Sequence, residues 1–229
     1  MRNTAVAGCF GPLGPDQPVV AIGAHFDDIE LGCGGVLASV RRHGCPVTMV
    51  VLTDSQYIHA SDGHERSAQS ALAEGHAAAE VLGVDDVRCL GLSNTHVGWN
   101  GDSVTAIEDV LSEIQPTLIL THWAFDSHQD HHHGAMATLS AARYMPSVMM
   151  YDPIFPSGRS YQPFRAQVYC DITDVIDLKI EALRRHESQY RKYGQEWIDA
   201  VTARARWRGY ESQVGYAEAF EVVRLRVDL

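Results

Sequence analysis

Short, continuously apolar runs alternate with segments of helical apolar spacing over the first two-thirds of the chain. The run 18–24 (PVVAIGA) is typical of a strand that is buried on both faces of a parallel sheet. Segment 103–114 instead places Val104, Ile107 and Leu111 at helical spacing and stops before a proline. The predicted strands are 18–24, 47–53, 87–90, 117–121, 148–151, 167–171 and 220–227. The predicted helices are 32–43, 65–82, 103–114, 132–144, 174–193 and 195–208, with 54–64 as a loop.

This alternation predicts an α/β fold with a Rossmann-like, mostly parallel sheet and helices on both faces. Because only one core is indicated, we expect residues 1–229 to form a single domain. Residues 1–17 are then an N-terminal lead, and residues 152–229 the C-terminal part on the substrate side. In such sheets the site lies outside the carboxyl ends of the strands, so the segments that follow strands carry the chemistry.

One histidine and three carboxylates directly follow the first predicted strand, in the segment 25–30 (HFDDIE). Charges this close repel one another unless a cation or a proton compensates them. A bound metal would supply that compensation. The alternative is a helix N-terminus, where the dipole favours acidic side chains. Taken alone, the segment supports both interpretations equally.

A second cluster, 126–133 (DSHQDHHH), follows the predicted strand 117–121. Histidines combined with oxygen ligands are typical of a catalytic zinc site that keeps one position open for water. An isolated histidine run is more often a solvated surface, but this run is internal and is interrupted by Asp130. Because the two clusters follow strands predicted to end side by side, we expect them to form one metal site.

Composition narrows the remaining classes of function. The chain carries 18 Lys and Arg against 29 Asp and Glu, a net charge of −11, which argues against nucleic acid or an anionic membrane as a partner. Five cysteines without a CxxC pair predict no disulfide framework and favour a reducing, cytoplasmic setting. No run approaches the roughly 20 apolar residues of a membrane span. The glycines near the first strand lack the G-x-G-x-x-G spacing of a dinucleotide site, so no organic cofactor is expected.

The segments 24–28 (AHFDD) and 128–131 (HQDH) resemble the A-H-P-D-D and H-P/Q-D-H signatures of a known family. This family is the zinc-dependent N-acetylglucosaminyl deacetylases of the PIG-L/LmbE type. Weaker matches at 74–83, at 179–189 and near the C-terminus extend the resemblance over almost the whole chain.

The resemblance implies a role for each matching residue. The metal, Zn²⁺ or another divalent ion, would be held by His25, Asp28 and His131. The implied catalytic residues are Asp27 as general base, His128 as oxyanion stabiliser or proton donor, and Asp130 as the group that orients a neighbouring imidazole.

The implied function is a zinc-dependent hydrolase that removes an N-acetyl or other N-acyl group from a sugar-containing small molecule. Such a molecule is an amino sugar, a sugar nucleotide or a natural-product intermediate. One alternative is a zinc amidohydrolase acting on an N-acyl amine without a sugar, and another is a non-catalytic homologue that binds metal or ligand. Because relatives in this family often form homo-oligomers, the resemblance also favours self-association.

Several positions depart from the family pattern. Phe26 replaces a proline, and Ala71 and Asn94 replace an Arg and an Asp that are associated with sugar hydroxyls. His132 either lines the pocket or faces solvent, and Trp123 is the favoured candidate for an aromatic wall. Packing is the favoured role of His186, and the role of His133 is open.

Overall fold

A seven-stranded sheet organises the structure, a computed structural model that describes residues 14–58, 63, 65–154 and 158–226. The strands are β1 (Val19–Gly23), β2 (Val47–Thr53), β3 (Tyr57–Ile58), β4 (Glu65–Arg66), β5 (Asp86–Leu92), β6 (Leu118–Thr121), β7 (Val148–Tyr151), β8 (Val168–Asp171) and β9 (Ala217–Arg224). The helices are α1 (Asp28–Arg42), α2 (Ala68–Leu82), α3 (Gly101–Ile114), α4 (Gln129–Ala141), α5 (Ile176–Arg185) and α6 (Glu187–Ser212), with a 3₁₀ turn at Thr173–Val175. Most of the predicted lead, residues 1–13, lies outside the described residues, as do 59–62 and 64 of the predicted loop and residue 227 of the last predicted strand.

The strand order in the main sheet is β5-β2-β1-β6-β7-β9-β8. The first five strands are parallel, whereas β9 is antiparallel to both of its neighbours. The chain runs outward from β1 to β2 and β5, then returns to the other side of β1 as β6. The order therefore reverses between β1 and β6, the position at which open α/β sheets place their ligands. The predicted mostly parallel α/β fold is confirmed.

Alternate residues of β1 enter two different cores, because successive side chains of a strand point to opposite faces. Val19 and Ala21 pack in a cluster with α1, α2 and α5. Val20 and Ile22 pack in a second cluster with α3 and α4. Helices thus cover both faces of the sheet. Within the described residues, no helix is both long and apolar enough to cross a membrane.

Several boundaries differ from the sequence-based expectation, among them the start of α2 at Ala68 rather than at residue 65 and of α4 at Gln129 rather than at residue 132. Helix α1 begins at Asp28 rather than at residue 32, because the acidic residues form its first turn, where the helix dipole tolerates them. The predicted loop 54–64 contains β3, which pairs with β4 in a hairpin too short to leave a periodic pattern. Helices α5 and α6 separate at His186, inside the predicted helix 174–193, whereas the predicted break after residue 193 is present as non-helical backbone at Gly194 (φ 68°, ψ −163°) within α6.

A buried ion pair, Lys179 with Glu218, forms hydrogen bonds with backbone groups in the middle of α1. The backbone N–H of Gly35 and the carbonyl of Leu31 are partners in a regular α-helix. Here Gly35 and Val36 donate to Glu218 at 2.9 and 2.7 Å, and Leu31 accepts from Lys179 at 2.6 Å. Lys179 and Glu218 lie 2.5 Å apart and are almost fully buried. Because α5 and β9 carry these two residues, they hold residues 31–36 of α1 in place.

Breaking this pair is expected to destabilise the fold strongly. Lys179→Met leaves the charge of Glu218 buried without its counter-ion, which costs about 3–5 kcal/mol of unfolding free energy. Urea denaturation followed by circular dichroism measures the change. The control is Arg185→Met, which breaks the solvent-exposed pair with Glu181 and should cost less than about 1 kcal/mol. Equal losses in the two variants would contradict this account of α1.

Candidate metal centre

Three ligand atoms meet where the chain leaves β1 and β6. His25 follows β1, Asp28 opens α1, and His131 lies in the first turn of α4. His25 Nδ1 lies 3.2 Å from Asp28 Oδ2 and 3.3 Å from His131 Nε2, and His131 Nε2 lies 3.3 Å from Asp28 Oδ1. The two sequence clusters therefore come together at one edge of the sheet.

These separations fit a bound metal ion. Zinc bonds of about 2.0–2.1 Å in a tetrahedral arrangement place neighbouring ligand atoms roughly 3.3 Å apart. Two imidazoles and one carboxylate are also a ligand set that leaves a fourth position open for water or substrate.

Hydrogen bonds orient the two imidazoles toward the common point. His25 Nε2 lies 3.0 Å from Asn94 Oδ1 and 3.1 Å from Asp130 Oδ2. Both partners are acceptors, so Nε2 carries the proton and Nδ1 presents its lone pair to the site. His131 Nδ1 likewise donates to Asp126 Oδ2 at 3.0 Å, which leaves Nε2 facing the site.

Two further histidines border the cluster, but their hydrogen bonds make them poor ligands. His122 Nε2 accepts from the backbone N–H of Ala24 at 2.8 Å. Asp28 Oδ2 lies 3.2 Å from the same nitrogen. Because the backbone N–H of Ala24 can only donate, it occupies the lone pair of His122 Nε2. His128 Nδ1 accepts from the N–H of Asp130 at 3.2 Å, which places the proton of the neutral ring on Nε2. His128 is therefore a hydrogen-bond donor stacked on His131, with ring centroids 4.5 Å apart.

The pKa shifts divide the histidines into the same two groups. Burial alone would lower the pKa of His25, but Asp130 and Asp28 raise it to about 9. Burial likewise opposes the charged form of His131, yet Asp28 and Asp126 raise its pKa to about 10. Burial, together with the charge of His131, lowers the pKa of His122 to about 4. In the absence of a metal, protons on His25 and His131 supply the positive charge that Asp28 requires.

Asp27 stands apart from the metal ligands. It occupies the N-cap position of α1, but its side chain makes no capping hydrogen bond, and its φ of 127° is unfavourable for any residue except glycine. Burial and the neighbouring charge of Asp28 raise its pKa to about 6. A half-buried carboxylate with a raised pKa, on a strained turn, is suited to accept a proton.

A buried polar network supports this turn from behind. Arg66 donates to the carbonyl of Phe26 at 2.9 Å and to His186 Nδ1 at 3.2 Å. It also pairs with Glu74 at 2.8 Å, and His186 Nε2 lies 3.1 Å from Glu30 Oε1. His186 is fully buried among these side chains, and its packing role stays a prediction from the sequence.

Phe26, which departs from the family's proline, packs onto a glycine of α2. A Cβ atom at Gly75 would lie 2.1 Å from Phe26 Cδ1, so only glycine leaves room for the ring. The two positions therefore compensate each other, and the turn keeps its ligands despite the substitution.

Asp130 lies deep in the site and fastens a neighbouring loop. It is fully buried, and besides His25 it accepts from the N–H groups of Thr95 at 2.6 Å and Val97 at 3.1 Å. His133 Nδ1 donates to the carbonyl of Val97 at 2.8 Å. Asp130 and His133 therefore hold the loop that carries Asn94 against α4.

Other expectations need correction or addition. Trp123 is 1% exposed and donates to Glu221 in the core, so it forms no aromatic wall. Asn94 contacts His25, a candidate metal ligand. Sequence reasoning also missed Asp126 and Arg66 as orienting groups. Asp126 lies inside the second cluster, but no spacing rule shows which of its acidic residues faces His131.

Comparisons with known proteins point to one family. The family described as PIG-L, GlcNAc-PI de-N-acetylase, matches residues 20–142. The "Uncharacterized deacetylase YaiS" of Escherichia coli is 32% identical over 74% of this chain and 90% of its own length. The diacetylchitobiose deacetylase of Thermococcus kodakarensis is 26% identical over 93% of this chain and 85% of its own.

Solved structures share the fold at lower identity. The N,N'-diacetylchitobiose deacetylase of Pyrococcus horikoshii superposes with a TM-score of 0.78 at 21% identity, over 90% of this chain and 84% of that one. GalB of Pseudomonas putida, the 4-carboxy-2-hydroxymuconate hydratase, has a TM-score of 0.76 at 22% identity, over 93% of this chain and 98% of that one. Since a hydratase shares it, the fold alone does not specify the reaction.

Metal uptake is expected to release protons. At about pH 7.5 both ligand histidines are protonated without metal, and binding needs the neutral rings, so zinc should displace close to two protons per ion and bind more weakly as the pH falls. Zinc titration in weakly buffered solution with a pH indicator measures this release. His25→Ala should lose most of the affinity, whereas the control His43→Ala, at the exposed end of α1, should not. Tight binding without proton release would contradict the assigned ligands.

Proposed function

Because the chain belongs to the PIG-L family of de-N-acetylases, we propose that it is a zinc-dependent hydrolase that removes the N-acetyl group of a small amino-sugar compound. The observation that carries the proposal is the cluster of His25, Asp28 and His131 beside Asp27, whose side chain makes no capping hydrogen bond. His25 Nδ1 and His131 Nε2 lie 3.3 Å apart, and each lies 3.2–3.3 Å from a different oxygen of Asp28. The name of the Thermococcus relative, a diacetylchitobiose deacetylase, supports an N-acetylated sugar as the substrate class.

His25, Asp28 and His131 would hold the metal, with Asn94, Asp130 and Asp126 fixing the two imidazoles. When bound, zinc supplies Lewis acidity, which polarises the amide carbonyl and lowers the pKa of water. Asp28 would hold the metal without competing as a base, because the neighbouring imidazole of His131 holds its pKa well below its usual value against the effect of burial.

Asp27 is the general base of the proposed reaction. It takes a proton from the water that attacks the amide carbon, and its raised pKa of about 6 brings its basicity closer to neutral pH. The proton then passes to the nitrogen of the departing amine, so that acetate and a free amine are the products.

His128 stabilises the charge that develops on the carbonyl oxygen. Its Nδ1 is occupied by the N–H of Asp130, so the ring can donate only through Nε2. Burial and the nearby charge of His131 lower the pKa of His128, which keeps the ring neutral. A fixed neutral donor of this kind binds an oxyanion more strongly than the ground-state carbonyl.

A second candidate is the hydrolysis of an N-acyl amine without a sugar. Ala71 is fully buried and offers no side-chain polar atom, and Asn94 is engaged with His25 and the carbonyl of Gln56. Neither position is therefore placed to bind sugar hydroxyls, so other residues must recognise a sugar if one is bound.

A cytoplasmic setting is part of the proposal. Cys33, Cys45 and Cys89 are free thiols in the described part of the chain, and two of them are buried. This is the usual state of cysteines in a reducing compartment.

The decisive test separates metal binding from turnover. Asp27→Asn should retain zinc, because Asp27 is no ligand, yet lose about 10²–10⁴-fold in kcat as a general base is removed. Zinc content is measured by mass spectrometry, and acetate release is measured on a panel of N-acetylated sugars, sugar nucleotides and simple amines.

The control is Asp85→Asn, at a carboxylate whose side chain is 95% exposed and whose loss should leave kcat unchanged. Undiminished kcat in Asp27→Asn would overturn the assignment of the base. Release of acetate from the simple amines alone would replace the sugar substrate by the second candidate.

A further inference from the structure

A cleft of about 750 Å³ opens beside the metal-ligand cluster. Two chain segments supply its walls: residues 125–127 and 132 after β6, and residues 159–161. Asp126, which lines the cleft, is hydrogen-bonded to the candidate metal ligand His131, so the cleft lies beside the proposed reaction centre.

Asp126 links the two walls to the metal site. Its Oδ1 accepts from the N–H groups of His128 at 2.9 Å and of Gly158 at 3.0 Å, while Oδ2 binds His131. The side chain is 1% exposed, and these three donors stabilise its charge. The same carboxylate thus positions a metal ligand and one wall of the cleft.

The cleft carries exposed aromatic surface. Tyr161 is 87% exposed, and Phe125 is 41% exposed while its ring rests against Trp123, with centroids 5.6 Å apart. Large aromatic side chains are usually buried, so two of them in one cleft beside a reaction centre provide a surface on which a planar ring can stack.

Polar groups in the same cleft favour an anion and a hydroxyl. Arg159, an exposed cation in a chain of net charge −11, lines the cleft together with His132. His132 Nδ1 donates to the carbonyl of Ala124 at 2.5 Å, so its Nε2 is the nitrogen left to accept a hydrogen bond. The position of His132, open in the sequence, is thus resolved in favour of the pocket.

We propose that this cleft binds the part of the substrate attached to the amine-bearing unit, and that this part is an aromatic ring with an anionic group. Tyr161 and Phe125 stack on the ring, and Arg159 binds the carboxylate or phosphate. This inference rests on the proposed deacetylation for its place in the reaction, because the cleft then sets which N-acetylated conjugate is preferred.

The test measures binding separately from turnover. The zinc-loaded Asp27→Asn enzyme is titrated calorimetrically with four N-acetylglucosaminides that carry methyl, phenyl, 4-carboxyphenyl or 4-phosphophenyl groups. The phenyl compound should bind roughly threefold to tenfold more tightly than the methyl compound, as an aromatic contact provides. At low salt, one or both of the anionic compounds should bind about threefold more tightly than the phenyl compound. The compound with the higher affinity identifies the preferred anion.

Single substitutions then assign each gain to its residue. Tyr161→Ala should remove most of the phenyl advantage, and Arg159→Gln should remove only the additional gain of the anionic compounds. The matched control is Arg143→Gln, an exposed arginine that is paired with Glu108 and does not line the cleft. Equal affinity for the methyl and phenyl compounds, or an equal effect of Arg159→Gln and Arg143→Gln, would overturn the proposal.

Turnover by the unmodified enzyme distinguishes the two proposals. If it hydrolyses the methyl glycoside but all four compounds bind equally, the cleft assignment is wrong and the deacetylase function stands. If it hydrolyses none of them while the order of binding holds, the cleft assignment stands and the proposed function is wrong.

Discussion

The convergence of two imidazoles on the Asp28 carboxylate, with ligand atoms 3.2–3.3 Å apart, is the constraint on which the rest of the site depends. Such an arrangement is stable only when positive charge occupies it, as protons on the rings or as a metal ion. Asn94, Asp130 and Asp126 all act on the outer nitrogens of these rings. The ion pair of Lys179 and Glu218 acts further from the site, since it holds residues 31–36 of α1 against α5 and β9.

Four histidines of one neighbourhood differ in chemistry because each has a different nitrogen occupied. His25 and His131 donate outward to acceptors and turn a lone pair inward. His122 and His128 accept from backbone N–H groups, which uses the lone pair that a metal would need. The identity of a metal ligand is thus decided by which of its two nitrogens is free, a property of the surrounding backbone and carboxylates.

Sequence reasoning succeeded where the signal is local. The apolar runs of β1, β2 and β6 and the two clusters after β1 and β6 are each contained in a few consecutive residues, and their meeting follows from parallel strands. It failed for the two-residue strands β3 and β4, which are shorter than any periodic pattern. It also placed Trp123 at the pocket and overlooked Phe125, because neighbouring aromatic residues in a loop carry no signal of which one is exposed.

By itself, the sequence determined the α/β class, the edge of the sheet that bears the site and the residue types available as metal ligands. Only the tertiary structure decided which nitrogen of each histidine faces that site, since the partners of His25 and His131 include residues up to about a hundred positions away. It also decided that Phe26 is accommodated by Gly75 and that Lys179 and Glu218 brace α1. Hydrogen-bond direction and close packing depend on the relative placement of distant segments, which short-range patterns in a chain do not encode.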